Sequence, residues 1–225
     1  MNQKMKIREL AIALTAENIN FSTLNIDVLK DSNIIPENWE LTHQPIYTSN
    51  MVQLVFQVGV AIVAQSNQIL FAQVLNSIDP RQVVAPQVAL RYIEKFPRKE
   101  FQAVGINPSS YIEFVSDEEA HRYISHNLLK SGSWHKFGTA RMKAALQLAY
   151  KLERGVLNLG INQGRLNSPE NQLLPIVFFA GNFKYHIIEK QQQERLKDVT
   201  ELIQNWQNNL ETFQKLINQK FLMNL

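Results

Sequence analysis

The sequence predicts an α+β fold: an antiparallel sheet of about seven or eight strands, helices packed on one face, and a long C-terminal amphipathic helix. Apolar and polar residues alternate along several segments, and short turns separate most of those segments. The final stretch returns to helical spacing. A chain of 225 residues can bury a sizeable core as one domain. A division into two similar β-rich halves, 1–115 and 116–188, followed by a helix over 189–222, is the open alternative.

In the first half, the segment "LAIALTA" follows Lys4, Lys6 and Arg8, as in a short signal peptide. The run is short and alternates, so we interpret it as a strand. A short helix is predicted near residues 24–29 and an antiparallel meander over 52–75. Pro86 predicts the first turn of a helix that stops before Pro97.

After Pro97, the chain is predicted to form a strand, a helix and further strands. A strand from Phe101 is expected to end at Pro108, and Ser116 with Glu119 forms a capping box for a helix running to about Lys130. Three more strands are predicted over 142–152, 157–161 and 173–188, with a polar loop over 163–172 between the last two. Gly155 suits a turn of positive φ, and a break or bulge is expected near Gly181.

The tripeptide Gly-Ile-Asn occurs twice, at 105–107 and 160–162. Each copy is expected to close a strand. The repeat indicates either an internal duplication or the ease with which Gly and Asn adopt left-handed backbone at strand ends. Asn107, Asn162 and Asn182 would then lie at strand ends, where turn formation is favoured over a binding role.

The C-terminal helix carries an apolar stripe with alternating spacings of three and four. Its members are Leu196, Val199, Ile203, Trp206, Leu210, Phe213 and Ile217. Leu202 and Leu216 widen the stripe, and flanking positions lack the charges of a coiled-coil dimer. We therefore expect the helix to pack on its own domain, with homodimerisation through remaining apolar surface as the alternative.

Composition limits the chemistry. The chain has no cysteine, which excludes disulfides, thiolate zinc sites and thiol nucleophiles. The net charge of +3 is scattered, so nucleic-acid binding is not expected. Apolar runs are too short for a membrane span. No nucleophile elbow or glycine-rich phosphate loop occurs, and we predict no catalytic residues, cofactor or metal.

The histidines suggest one metal hypothesis. Glu118 and His121 have the spacing of carboxylate-bridged metal sites, but no second such pair occurs. His121 and His126 are five residues apart, which does not align them on an α-helix. Glu118 and His121 are therefore interpreted as part of a solvated first turn, whose acidic residues favour the helix dipole.

The best candidate for ligand contact is the loop 131–141, "SGSWHKFGTAR". Its Trp134, His135 and Arg141 combine an aromatic ring with cationic groups, which together can stack on and pair with an anion. The alternative is structural: Trp134 and Phe137 would plug the edge of the core while the cations extend into water.

The stretches "NIDVLKDSNIIPENWELTHQPIYTS", "QAVGINP" and "IVFFAGNF" resemble segments of uncharacterised cyanobacterial hypothetical proteins. The resemblance implies a cytoplasmic bacterial setting and supplies no activity. We therefore predict a non-catalytic protein-binding or assembly module acting through the C-terminal helix and a sheet edge, with a second copy or an unknown protein as partner. The alternative is a small-molecule-binding domain or enzyme with a pocket near the 131–141 loop.

Overall fold

The computed structural model describes residues 4–75, 82–97, 100–168, 172–189 and 191–223. These residues form a single antiparallel sheet of nine strands with helices on one face, which confirms the predicted fold class and raises the strand count slightly. The sheet order is β2-β3-β4-β5-β1-β6-β9-β8-β7. None of the helices in the described ranges is long and apolar enough to cross a membrane.

The strands differ widely in length, and the central ones are long. Their bounds are β1 Lys6–Ala16, β2 Ile46–Tyr47, β3 Met51–Val55, β4 Val60–Gln65, β5 Gln68–Val74, β6 Phe101–Glu113, β7 Ala145–Lys151, β8 Val156–Asn167 and β9 Leu173–His186.

The helices follow the first and last strands of each half of the chain. The α-helices are α1 Ile26–Asp31, α2 Ala85–Lys95, α3 Asp117–Arg122, α4 Gln192–Gln204 and α5 Trp206–Leu216. Short 3₁₀ turns lie at Phe21–Leu24 and Ser133–Lys136, and π-helical turns extend α3 over Tyr123–Leu128 and α5 over Ile217–Phe221.

The core lies between the helices and one face of the sheet. On β1, Leu10, Ile12 and Leu14 are fully buried on this face. Ile12 lies opposite Phe71 of β5 and Ile106 of β6, so the same face continues across the central strands. Phe71 contacts Tyr92 of α2, with 5.5 Å between ring centroids. The segment that imitates a signal peptide is therefore a central strand of the sheet.

The sheet order reads almost the same from both directions. β1 and β6 pair at the centre, and β5, β4 and β3 on one side are matched by β9, β8 and β7 on the other. This topological repeat divides between α2 and β6. Duplication itself stays an open alternative, and the Gly-Ile-Asn copies lie in β6 and β8, which are not matched strands.

The expected position of those tripeptides at strand ends is wrong. Gly105 and Gly160 lie inside β6 and β8, where neither has positive φ. Asn107 and Asn182 lie on neighbouring strands inside the sheet, and Asn182 Nδ2 donates to Asn107 Oδ1 at 2.9 Å. The amides therefore bond across two strands and do not form turns.

Several predicted boundaries also differ from the structure. β6 continues through Pro108 to Glu113. Its pairing with β9 runs to Ile106 and resumes at Ser109, so Pro108, which lacks an N–H, lies where this ladder is interrupted. β8 extends to Asn167 and replaces most of the expected polar loop, of which residues 169–171 lie outside the described ranges. The predicted long strand is shorter, starting at Ala145.

The helices differ from expectation at their ends. Ser116 caps α3 as predicted, its Oγ accepting from Glu119 N at 3.2 Å, but the helical run ends at Leu128 because Leu129 is extended. The C-terminal rod is divided at Asn205 into α4 and α5. β9 shows no break near Gly181, which pairs in register with Leu159.

Candidate functional site

The apolar stripe of the C-terminal rod faces the protein's own sheet. Leu196 is half-buried, and the other six members are buried. Phe213 and Ile217 are fully covered, and Trp206 is only 5% exposed. The stripe is therefore part of the core, and the rod exposes its polar side.

One polar pair lies inside this packing. Tyr185 of β9 donates its hydroxyl to Asn209 Oδ1 at 2.5 Å, and Asn209 Nδ2 donates to the Asn205 carbonyl at 3.1 Å. Burial raises the pKa of Tyr185, while the bond to Asn209 acts in the opposite direction. The sequence does not predict this pair, because Asn209 flanks the stripe and no local signal indicates its partner.

The 131–141 loop begins with a 3₁₀ turn that His135 stabilises. His135 Nε2 donates to the Ser125 carbonyl at 2.9 Å, and its Nδ1 accepts from Gly132 N at 3.1 Å. Trp134 stacks on the His135 ring, with 4.0 Å between centroids. Both nitrogens of His135 are thus directed to backbone groups, so this imidazole holds the loop against the end of the preceding helix.

The structural alternative for this loop is wrong in its main point. Phe137 is 88% exposed and Trp134 is 48% exposed, so these rings do not plug the edge of the core. Trp134 instead uses one face to cover His135 and leaves the remainder open to solvent. The loop therefore presents aromatic surface outward.

A cavity of about 380 Å³ lies between this loop and helix α3. Its wall combines five groups that are cationic or become so on protonation with one carboxylate. The lining residues are Glu118, His121, Arg122, His126, His135, Arg141 and Met142. We call this the histidine pocket. Of the predicted ligand residues, it includes His135 and Arg141 but not Trp134.

The π-helical turn explains why sequence spacing does not predict this arrangement. His121 and His126 diverge on an α-helix, but the wider turn from Tyr123 bonds residues five apart and moves them toward the same side. His126 and His135 have ring centroids 5.5 Å apart. Burial lowers the pKa of His121, and the nearby His126 and His135 lower it further.

Hydrogen bonds fix the orientation of His126. Ser125 Oγ donates to the His121 carbonyl at 2.9 Å, so the 2.7 Å contact with His126 has Nδ1–H as its donor. The other nitrogen, Nε2, has no protein hydrogen bond among the described residues. It is therefore the side of this ring that can meet a ligand.

The charges of the pocket are only partly compensated. Arg141 is bonded to Glu118, and Arg122 Nη2 lies 3.9 Å from the same carboxylate. One carboxylate thus serves two guanidinium groups. Within the described ranges, no group of three or more His, Asp or Glu side chains is placed to hold a metal ion.

Strand β7 begins three residues after Met142 of this pocket and forms one edge of the sheet. It pairs with β8 on one side, and no described strand pairs with its other side. Ala145, Gln147, Ala149 and Lys151 are exposed, whereas Leu146, Leu148 and Tyr150 are half-buried on the helix side. A row of backbone N–H and C=O groups along β7 is therefore open to pairing.

The opposite edge is different. β2 has only two residues, and the chain before it adds an isolated bridge between Leu41 and Phe56. Thr42 N also donates to the Val55 carbonyl at 2.8 Å. This segment covers the outer side of β3 in short pieces, which protects that edge from further pairing.

Comparison with known proteins assigns no function to either feature. No protein-family model matches the chain. No curated protein matches it either.

Proposed function

We propose that this protein is a non-catalytic assembly module that pairs through the β7 edge with a second copy of itself. One observation carries the proposal: β7 is a seven-residue edge strand with no charged residue before Lys151. Edge strands of soluble proteins are usually short, charged or covered, and β7 has little of this protection. Of the two surfaces expected from sequence, the helix stripe is buried, so the proposal rests on the sheet edge.

The sequence of β7 is compatible with antiparallel pairing to itself. In a pair centred on Leu148, Leu146 of one copy faces Tyr150 of the other on the helix side. Gln147 faces Ala149 on the exposed side, and Lys151 faces Ala145. No like charges oppose each other, and the half-buried apolar row becomes continuous across the junction. The cytoplasmic setting and the resemblance to cyanobacterial proteins stay predictions.

The test uses charges at the exposed positions 147 and 149, which face each other in this register. The double variant Gln147→Lys with Ala149→Lys places like charges opposite one another and should be monomeric. The matched variant Gln147→Lys with Ala149→Glu places opposite charges there and should remain a dimer. Sedimentation velocity measures the mass of each, with circular dichroism as a control for folding.

The outcomes separate clearly. A dimeric wild type, a monomeric Lys/Lys variant and a dimeric Lys/Glu variant support the proposal. A monomeric wild type at about 100 μM, a concentration well above typical dissociation constants of stable dimers, contradicts it. Equal masses for all three proteins also contradict it.

A second candidate function, small-molecule binding, is favoured by the histidine pocket. There Arg122 and Arg141 share a single carboxylate, from Glu118, and His121 lines the same cavity of about 380 Å³. Such a surplus of donors suits an anionic ligand. Retention of a small anion by the purified protein in native mass spectrometry would test this function, because an assembly module alone predicts none.

A further inference from the structure

We propose that the histidine pocket binds the phosphate group of a small phosphorylated molecule, with Arg122, Arg141, His121 and His126 as donors. This inference deepens the second candidate function and is independent of pairing through β7. The donors reach the pocket from two elements: α3 and its π-helical extension carry three of them, and the 131–141 loop carries Arg141.

The number and direction of donors favour phosphate. Arg122 and Arg141 are 63% and 61% exposed at their side chains, so both guanidinium groups retain N–H donors for a ligand beyond their contacts with Glu118. His126 Nε2 is directed away from the bond between Nδ1–H and Ser125, and it donates to the anion when the ring is protonated. A tetrahedral oxyanion offers acceptors on several sides at once, and charge-assisted bonds to it are the strong class of hydrogen bond.

The charge balance points the same way. Glu118 neutralises one of the two arginines, which leaves one formal positive charge when the histidines are neutral. A bound anion favours the protonated form of an imidazole beside it, which opposes the lowering of the His121 pKa by burial and by His126 and His135. His135 is already bonded through both nitrogens and serves as a positioning residue that keeps the loop and Arg141 close to α3.

Glu118 makes the proposal sharply testable, because it competes with the ligand for the same arginines. Replacing Glu118 with Gln removes the competing charge and should strengthen phosphate binding, by about threefold. Replacing Arg141 with Gln should weaken it by about tenfold through loss of a charge-assisted bond. Arg154→Gln is the matched control, since Arg154 forms an ion pair with Asp198 and does not line this pocket.

The experiment titrates inorganic phosphate into the full chain at constant ionic strength, at about pH 6.5. Imidazole proton resonances report the site. Saturable shifts of His121 and His126, without shifts of His43 and His186, support the proposal if they follow the expected order of the variants. Equal shifts of all five histidines, equal shifts with chloride, or an unchanged affinity in Arg141→Gln overturn it.

The result is distinguishable from failure of the assembly proposal. The Lys/Lys variant of β7 retains every residue of the pocket, so it should bind phosphate with the wild-type affinity whether or not the wild type is dimeric. Loss of phosphate binding in that variant while it remains folded would contradict a pocket contained within one chain.

Discussion

Phe213 of α5 packs so closely over Gly181 of β9 that a Cβ atom at position 181 would lie 2.9 Å from Phe213 Cδ2 and 3.2 Å from Pro108 Cγ. Cβ atoms in real structures do not approach a carbon as closely as the first distance. The Phe213 ring therefore packs directly on the backbone of Gly181, where a side chain would not fit. This contact holds α5 against β9, the strand that pairs with β6.

Gly181→Ala should therefore destabilise the protein by about 1–3 kcal/mol, the usual cost of forcing extra volume into a packed core. Urea unfolding measures the change. Gly164→Ala is the control, because a Cβ there would lie an ordinary 3.6 Å from Ile176 Cγ1. If the Gly181 variant is as stable as the Gly164 variant, the packing of Phe213 does not require a glycine at position 181.

The Tyr185–Asn209 pair gives a second prediction. Tyr185→Phe removes the hydroxyl that donates to Asn209 Oδ1 at 2.5 Å and leaves a buried acceptor without its donor. The expected loss of stability is about 1–3 kcal/mol. Asn209→Leu combined with Tyr185→Phe removes both polar groups and should recover part of that loss.

A double-mutant cycle from thermal or urea unfolding isolates the coupling between these two side chains. The cycle needs both single variants and the double variant in the same buffer. Additive losses, with no coupling beyond about 0.5 kcal/mol, would mean that the hydrogen bond contributes little to the seating of α5.

Ionisation of Tyr92 should make the protein less stable at alkaline pH. Burial raises its pKa from 10.0 to about 12, against a smaller opposite effect of the bond to Thr23. The unfolded chain therefore ionises first. The protonated Tyr92 contributes its full stabilisation below pH 10. This contribution is lost as pH rises from 10 to about 12, by up to about 1.4 kcal/mol per pH unit.

Tyr92→Phe should make this decline shallower, as measured by urea unfolding at a series of alkaline pH values. Thr23→Val is the matched control, because it removes the same 3.0 Å hydroxyl contact and keeps the titrating group. A residual slope is expected, since burial also raises the pKa of Tyr123. Equal slopes for the two variants would contradict the assignment to Tyr92.

The sequence predicted the architecture well where local pattern decides it. Alternation along β1 and the meander, and the N-cap at Ser116, correspond to elements of the structure. These signals are local, since each depends on residues a few positions apart. The antiparallel sheet with helices therefore follows from local sequence pattern alone.

The errors lie where tertiary contacts override local signals. Pro108 should end a strand, yet β6 continues because its missing N–H falls at an interruption of the ladder. Gly181 resembles a bulge site, but its small size serves Phe213 on another element. The histidine pocket depends on a π-helical turn that changes which residues share a face. Sequence spacing alone contains none of these relationships.

The β7–β8 turn supplies the final prediction. Gly155 has φ of +87°, as its sequence context predicted, and a Cβ atom at this position would overlap the Lys184 carbonyl oxygen. Gly155→Ala should therefore incur both left-handed backbone strain and a clash with the backbone of β9.

Gly138→Ala is the matched control, because Gly138 has φ of +92° but a Cβ atom there would have no neighbour within 4 Å. The control should lose about 1–2 kcal/mol from strain alone, and Gly155→Ala should lose clearly more in the same urea unfolding experiment. Equal losses would mean that the turn can move away from β9, in which case the position of the β7 edge is not fixed by this glycine.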